Sequence, residues 1–141
     1  MLCNSKGARI FVGKRSHFSE WVEVQSQGYL HIGDGFNINR YSRIICYDKI
    51  TIGNNVVVAQ FVSVLDHDHR WVKKSGNLLF EGYSSDPVSI GNNVWIADKV
   101  TILKGANIGN NVIIGANSVV KGKFRDNVLI AGSPAEVIRE I

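Results

Sequence analysis

With 141 residues and 15.6 kDa the chain has room for one small domain, and 45% hydrophobic side chains suffice for a dry interior. Its 16 Lys and Arg against 12 Asp and Glu give a formal charge of +4 and a pI near 9.2, but the cations are scattered and no nucleic-acid-binding motif organises them, so that class of partner is set aside. No apolar stretch approaches the roughly 18 residues of a membrane-crossing helix, the opening Met-Leu-Cys-Asn-Ser-Lys has no signal-peptide core, and Cys3 with Cys46 makes no disulfide framework, which together predict a soluble protein of the reducing cytoplasm.

Residues 1–29 alternate weakly, with Ile10, Val12, Val22 and Val24 set against polar neighbours as in exposed strands, and are read as an irregular entry coil. From Ile32 a stronger rule takes over. An aliphatic residue recurs at every sixth position: Ile32, Ile38 and Ile44, then Ile52, Val58 and Val64, then Ile90, Ile96, Ile102, Ile108, Ile114 and Val120. The residue after it is usually small or polar (Gly33, Asn39, Gly53, Ala59, Gly91, Ala97, Gly109, Gly115), with Ile45 and Leu103 as breaks. Four residues after it stands Ser42, Val56, Val62, Val94, Val100, Ala106, Val112 or Ser118. The pentapeptide Ile-Gly-Asn-Asn-Val occurs three times, beginning at Ile52, Ile90 and Ile108.

Two inward positions per six residues, with Gly or Asn nearby, describe a short strand followed by a tight corner. Three such units form one triangular coil, and self-similarity at a fixed period marks a solenoid in which each coil packs on the next. Ile90 then stacks on Ile108, Ile96 on Ile114 and Ile102 on Val120, at about the 4.8 Å spacing of paired strands. About five coils fit into a single all-β domain spanning 1–141. The period alone does not fix the handedness.

The repeat stops after Val64 and resumes near Val88, so residues 66–87, which include Trp71, Lys73, Lys74, Phe80 and Tyr83, are read as a loop thrown out from the coil. Insertions of this length are usually functional, and its aromatics suit a segment that covers a site or a neighbouring subunit. At its start stands Leu65-Asp66-His67-Asp68-His69. The cluster fits a solvated loop. It also fits a Zn²⁺ site, since His67 and His69 share one side of an extended strand, although His17 and His31 offer no evident third ligand. Its third reading is a general base, a His of near-neutral pKa oriented by a carboxylate or carbonyl beneath a lid.

The ordered motifs Val62-Ser63-Val64-Leu65-Asp66-His67, then Ile90-Gly91-Asn92-Asn93-Val94-Trp95-Ile96-Ala97, then Ala131-Gly132-Ser133-Pro134-Ala135 with Val137-Ile138-Arg139, resemble the hexapeptide-repeat sugar O-acetyltransferases over residues 30–141. That family includes galactoside and maltose acetyltransferases and enzymes that acetylate capsule or O-antigen sugars. The resemblance implies a left-handed parallel β-helix with a protruding loop and a C-terminal closing segment over 128–141. It implies a homotrimer with active sites between adjacent subunits, and acetyl-CoA as acyl donor with no metal. His67 would deprotonate a sugar hydroxyl for direct attack on the thioester, with His69 in reserve. Trp95 would lie beside both cofactor and acceptor, Ala97 and Ala116 would let the pantetheine arm approach, and the Asp98 amide would face the developing oxyanion.

Lys121 and Arg139 would meet the phosphates, although Glu136 stands where the family carries a second basic residue. Asn39 and Asp48 are the expected acceptor contacts. Tyr47 replaces the family's acidic partner, which argues against a simple galactoside and toward a cell-surface polysaccharide or its precursor. N-acetylation of an amino sugar, a γ-carbonic-anhydrase-like metal enzyme and a non-catalytic scaffold are the alternatives.

Overall fold

The computed structural model describes the backbone of residues 2–4 and the whole of residues 7–141; the Cys3 side chain lies outside the described residues. Among the described residues the chain forms three flat parallel sheets and no helix. It visits them in strict rotation. The first sheet runs from Leu2–Asn4 through Glu23–Ser26, Arg43–Cys46, Ser63–Leu65 and Thr101–Ile102 to Val119–Val120. The second begins at Arg9–Val12 and ends at Lys123–Phe124; the third begins at His17–Phe18 and runs to Val128–Gly132, where Ala135–Glu140 pairs antiparallel and closes it.

The predicted columns are observed in register, Ile90 with Ile108, Ile96 with Ile114 and Ile102 with Val120. Each of these isoleucines is at most 2% exposed. Full burial of such a side chain is worth about 1.5–3 kcal/mol, so the columns are the main cohesive force.

Three expectations need correction. First, there are six rungs among the described residues, not about five, because the strands Arg9–Val12, His17–Phe18 and Glu23–Ser26 are in full register: Val12 pairs with Ile32, Phe18 with Ile38 and Val24 with Ile44. Val22 and Val24 are buried, and Val12 is exposed because it lies at the open end of the stack.

Second, the rung length is not constant. Equivalent residues stand 20 apart in most of the early rungs, 18 apart in the later ones and 16 apart in the last. The extra pair, Gln27-Gly28 and then Tyr47-Asp48, always enters at the corner between the first and second sheets. Third, the insertion after Asp66 leaves from that same corner and is a β-hairpin, not an irregular loop. His67–Lys74 and Asn77–Ser85 pair antiparallel, with a bulge between His69 and Trp71. Ser75 and Gly76 join them, both at positive φ (49° and 80°), as two-residue hairpin turns require. Lys104 Nζ anchors its base, 2.8 Å from Asp68 Oδ1 and 3.0 Å from Ser84 Oγ.

The corner between the second and third sheets explains the pentapeptide. A Cβ on Gly91 would lie 2.5 Å from the Gly109 carbonyl oxygen, so nothing larger than glycine lets the rungs close there. The first Asn of each pentapeptide accepts, through its side-chain oxygen, the amide of its counterpart one rung earlier: Asn54 N–H donates to Asn92 and Asn92 N–H to Asn110. The second Asn takes the left-handed conformation (Asn93 φ 56°) and donates its side-chain amide along the stack, Asn93 to Asn111 and Asn111 to Asn127. Phe36, fully buried, fills a corner position where smaller residues stand on other rungs, and Ser16 occupies the matching place on the rung before it.

Candidate active site

Asp66 closes the fourth strand of the first sheet and is fully buried. Its Oδ1 accepts the Tyr47 amide at 2.8 Å, and its Oδ2 accepts the amides of Asp48 at 2.7 Å and Lys49 at 2.9 Å. The two-residue enlargement of the preceding rung therefore turns its N–H groups inward onto one carboxylate. Oδ1 also lies 3.0 Å from His67 Nδ1. Because the carboxylate only accepts, His67 Nδ1 donates, and the neutral ring carries its lone pair on Nε2.

The ring is fixed from its faces as well. Tyr47 stacks on it at 3.6 Å between centroids and 4° between planes, and Tyr83 of the hairpin meets both rings edge-on at 4.7 and 5.7 Å. A shared hydrogen bond with Tyr83, aided by desolvation, holds the Tyr47 hydroxyl above its usual pKa, so it stays neutral. Burial, reinforced by nearby Asp66, pushes the Cys46 thiol up to about 11. A neutral buried thiol is not a nucleophile at physiological pH.

His67 opens onto a groove of about 470 Å³ whose walls include Arg43, Leu65, Asp68, His69 and Tyr83. His69 thus shares the groove, but it is exposed and its ring lies against Tyr83 and Phe80 with no carboxylate holding it. A second groove of about 500 Å³ runs along the edge between the third and first sheets, lined by Ala59, Trp95, Ala97, Asp98, Gly115 and Ala116 among others. Ile113 and Leu129 continue the outer face beside Trp95, which is half exposed. The lining is almost wholly apolar.

The Asp98 side chain accepts the Gln60 amide at 3.1 Å, yet the Asp98 amide donates to no acceptor among the described residues. Its counterpart one rung on is Ala116, which has no side-chain oxygen to offer. The Ala116 amide is left free in the same way, with Gly132 beyond it.

The two grooves share no residue. Within one chain the predicted base and the predicted cofactor contacts occupy opposite edges of the first sheet. Asn39 belongs to the edge of Ala59 and Ala97, and its side-chain amide donates to the Val58 carbonyl at 3.0 Å. Asp48 is exposed beside Tyr47. Lys121 and Arg139 are exposed and line neither groove; Arg139 pairs with Leu129, which does. The sequence reading passed over Asp66 as the carboxylate that holds His67, and Tyr83 as a wall. The Asp66 partners lie 17 to 19 residues upstream, so only the stacking of rungs brings them together.

The chain is thus a prism of six-residue repeats that carries a carboxylate-held imidazole on one edge. The chain matches the family model for bacterial transferase hexapeptide (six repeats) over residues 87–122, and it belongs to the hexapeptide-repeat acyltransferase family, whose scaffold is a left-handed parallel β-helix. It is 43% identical to the galactoside O-acetyltransferase of Escherichia coli (strain K12) over 133 residues, which are 92% of this chain and 63% of that one.

It is 31% identical over 140 residues to the protein of the same organism named for colanic acid biosynthesis acetyltransferase, WcaF, covering 95% of this chain and 70% of the relative. Among solved structures it resembles galactoside acetyltransferase in complex with coenzyme A, with a TM-score of 0.76, 32% identity, and coverage of 92% of this chain and 64% of the other. Several of the curated relatives it matches are longer, and the chain spans 44% to 64% of their length.

Proposed function

We propose that the protein moves an acetyl group from acetyl-CoA to a hydroxyl of a sugar, in a cell-surface polysaccharide or its precursor. The observation that carries this reading is the Asp66–His67 pair, an imidazole whose Nδ1 is committed to a buried carboxylate and whose Nε2 is left as a base. Acetyl-CoA supplies the activated acyl group. The apolar edge of Ala59, Trp95, Ala97, Gly115 and Ala116 suits a narrow pantetheine arm, because no side chain but Trp95 stands out from it. The unpaired Asp98 amide is the donor for the oxygen on which charge builds, an interaction worth on the order of 3 kcal/mol. Cys46 is too deeply buried and too weakly acidic to carry the acyl group, which favours direct transfer.

In this reading the chain works as a homotrimer, with the His67 edge of one copy facing the Trp95 edge of the next. Two exposed aromatic surfaces support it. Trp71, Phe80 and Leu78 stand out from the hairpin at 61%, 67% and 55% exposure. On the opposite edge Trp21, Tyr41 and Phe61 form an exposed column, Tyr41 stacked on Phe61 at 5.1 Å, all at positive φ where most other corners use Asn or Gly. Bulky residues in that conformation cost about 1–2 kcal/mol each. Burial between subunits offsets the cost. We place the enzyme in the cytoplasm, where acetyl-CoA is made and Cys46 stays reduced.

The decisive experiment measures coenzyme A release from acetyl-CoA against a panel of glycans with free hydroxyls, followed by product analysis. An O-acetyl ester should form, and His67→Ala should lower turnover by about 10²-fold or more. No release with any glycan, or a variant as active as the parent, removes this assignment.

A further inference from the structure

The groove in front of His67 holds two opposite charges that do not meet. Glu23 and Arg43 stand side by side in register on neighbouring strands of the first sheet, at about the 4.8 Å strand spacing, and both line that groove. Opposite charges so placed ordinarily close on each other. Here they turn apart: the Glu23 carboxylate accepts the side-chain amide of Gln25 through Oε1, and Arg43 Nε donates to Ser63 Oγ on the next strand at 3.0 Å. Among the described residues neither has an ion-pair partner, so Glu23 Oε2 and the two Nη groups of Arg43 are left to the groove. The remaining carboxylate of the lining, Asp68, is already matched by Lys104 at 2.8 Å. One acceptor and one donor set of cancelling charge therefore stay open together.

Between this pair and the base lies an apolar floor. Ile45 and Leu65 follow Arg43 and Ser63 by two residues and project from the same face, and His67 follows Leu65 by two more. Two residues of extended chain span about 7 Å, so the charged pair sits that much further from the base than the floor does. A sugar seated at His67 Nε2 leaves the pair to the next sugar of the same glycan, whose C–H face rests on Ile45 and Leu65. The geometry points to a second acceptor subsite, for an uncharged hexose joined to the residue that is acylated, with Glu23 and Arg43 setting its charge. Glu23 accepts from one hydroxyl and Arg43 donates to the oxygen of another. A uronic acid in that place would meet Arg43 but be repelled by Glu23, and an amino sugar the reverse. The inference rests on the sugar-acylating reading above.

The test uses the full chain and follows binding by calorimetry with cellohexaose, its fully oxidised uronic acid counterpart and the chitosan hexamer, at a mildly acidic pH where the chitosan amines are charged. The three share one backbone and differ in charge. The parent should bind cellohexaose more tightly than either charged hexamer, by about fivefold. Glu23→Gln should move the preference to the uronic acid and Arg43→Gln to the chitosan hexamer, each by about fivefold in its own direction. Side chains that merely shaped the sheet would move both preferences alike. No binding of cellohexaose, a parent that prefers a charged hexamer, or variants that keep the parent's order or shift it the same way overturn the subsite. Should one variant misfold, the other decides alone, because each has its own predicted direction. Because binding is read without acetyl transfer, the two reversals without coenzyme A release on any glycan refute the assigned reaction and leave the subsite standing, whereas release without the reversals removes the subsite alone.

Discussion

Replacing Asp66 with Asn exchanges one oxygen for an amino group in a place where every neighbour is a donor. Whichever way the amide turned, its NH2 would face either the Tyr47 amide and His67 Nδ1 or the amides of Asp48 and Lys49. Buried donors left without acceptors cost about 1–3 kcal/mol each, so Asp66→Asn should lose about 2–5 kcal/mol in urea denaturation. In material that remains folded, turnover should still fall by about 10²-fold, because the imidazole loses the partner that sets its tautomer. An unchanged pH profile with full turnover would mean that the carboxylate only staples the corner. The adjacent His-Asp-His letters drew the sequence reading toward His67, since a histidine and its place in the chain are local features. They could not reveal that the orienting group is Asp66 and not Asp68, which faces Lys104 in solvent.

At the scale of elements, the six-residue period exposed the strands, the inward columns and the pentapeptide corners, because in a solenoid the same contacts recur from coil to coil. The hairpin was not legible as such. Its strands are exposed on both faces, so they lack the apolar alternation that marks a half-buried strand, and only Ser75-Gly76 hinted at the turn. The first rung was hidden for a related reason: an open end lets polar residues occupy places that are apolar further along. The close contact of rungs gives a sharp test. Gly91→Ala should destabilise by about 3 kcal/mol or more, since its Cβ would run into backbone at Gly109. Gly76→Ala, with nothing within 4 Å of a Cβ, should cost only the roughly 1 kcal/mol of a left-handed alanine. Equal losses in the two variants would contradict the packing described for the corner.

For the whole molecule, the separation of the His67 groove from the Trp95 groove makes assembly part of the proposed chemistry. Tyr41→Asn with Phe61→Asn puts into the aromatic edge the residue that the other corners use at the same φ. The single chain should fold as well as before or better, while sedimentation shows the proposed trimer dissociating at least tenfold more readily and activity falling with it. Undisturbed assembly would move the interface elsewhere. One last consequence comes from the unpaired amide of Asp98. Along the asparagine corners each rung's carboxamide oxygen silences the amide of the rung before it, as Asn92 does for Asn54. At position 116 alanine leaves that lock without its key. Ala116→Asn should complete the lock, stiffen the prism by about 1 kcal/mol and cost about 10²-fold or more in turnover, so that a protein made sturdier by obeying its own repeat would be a poorer catalyst for it.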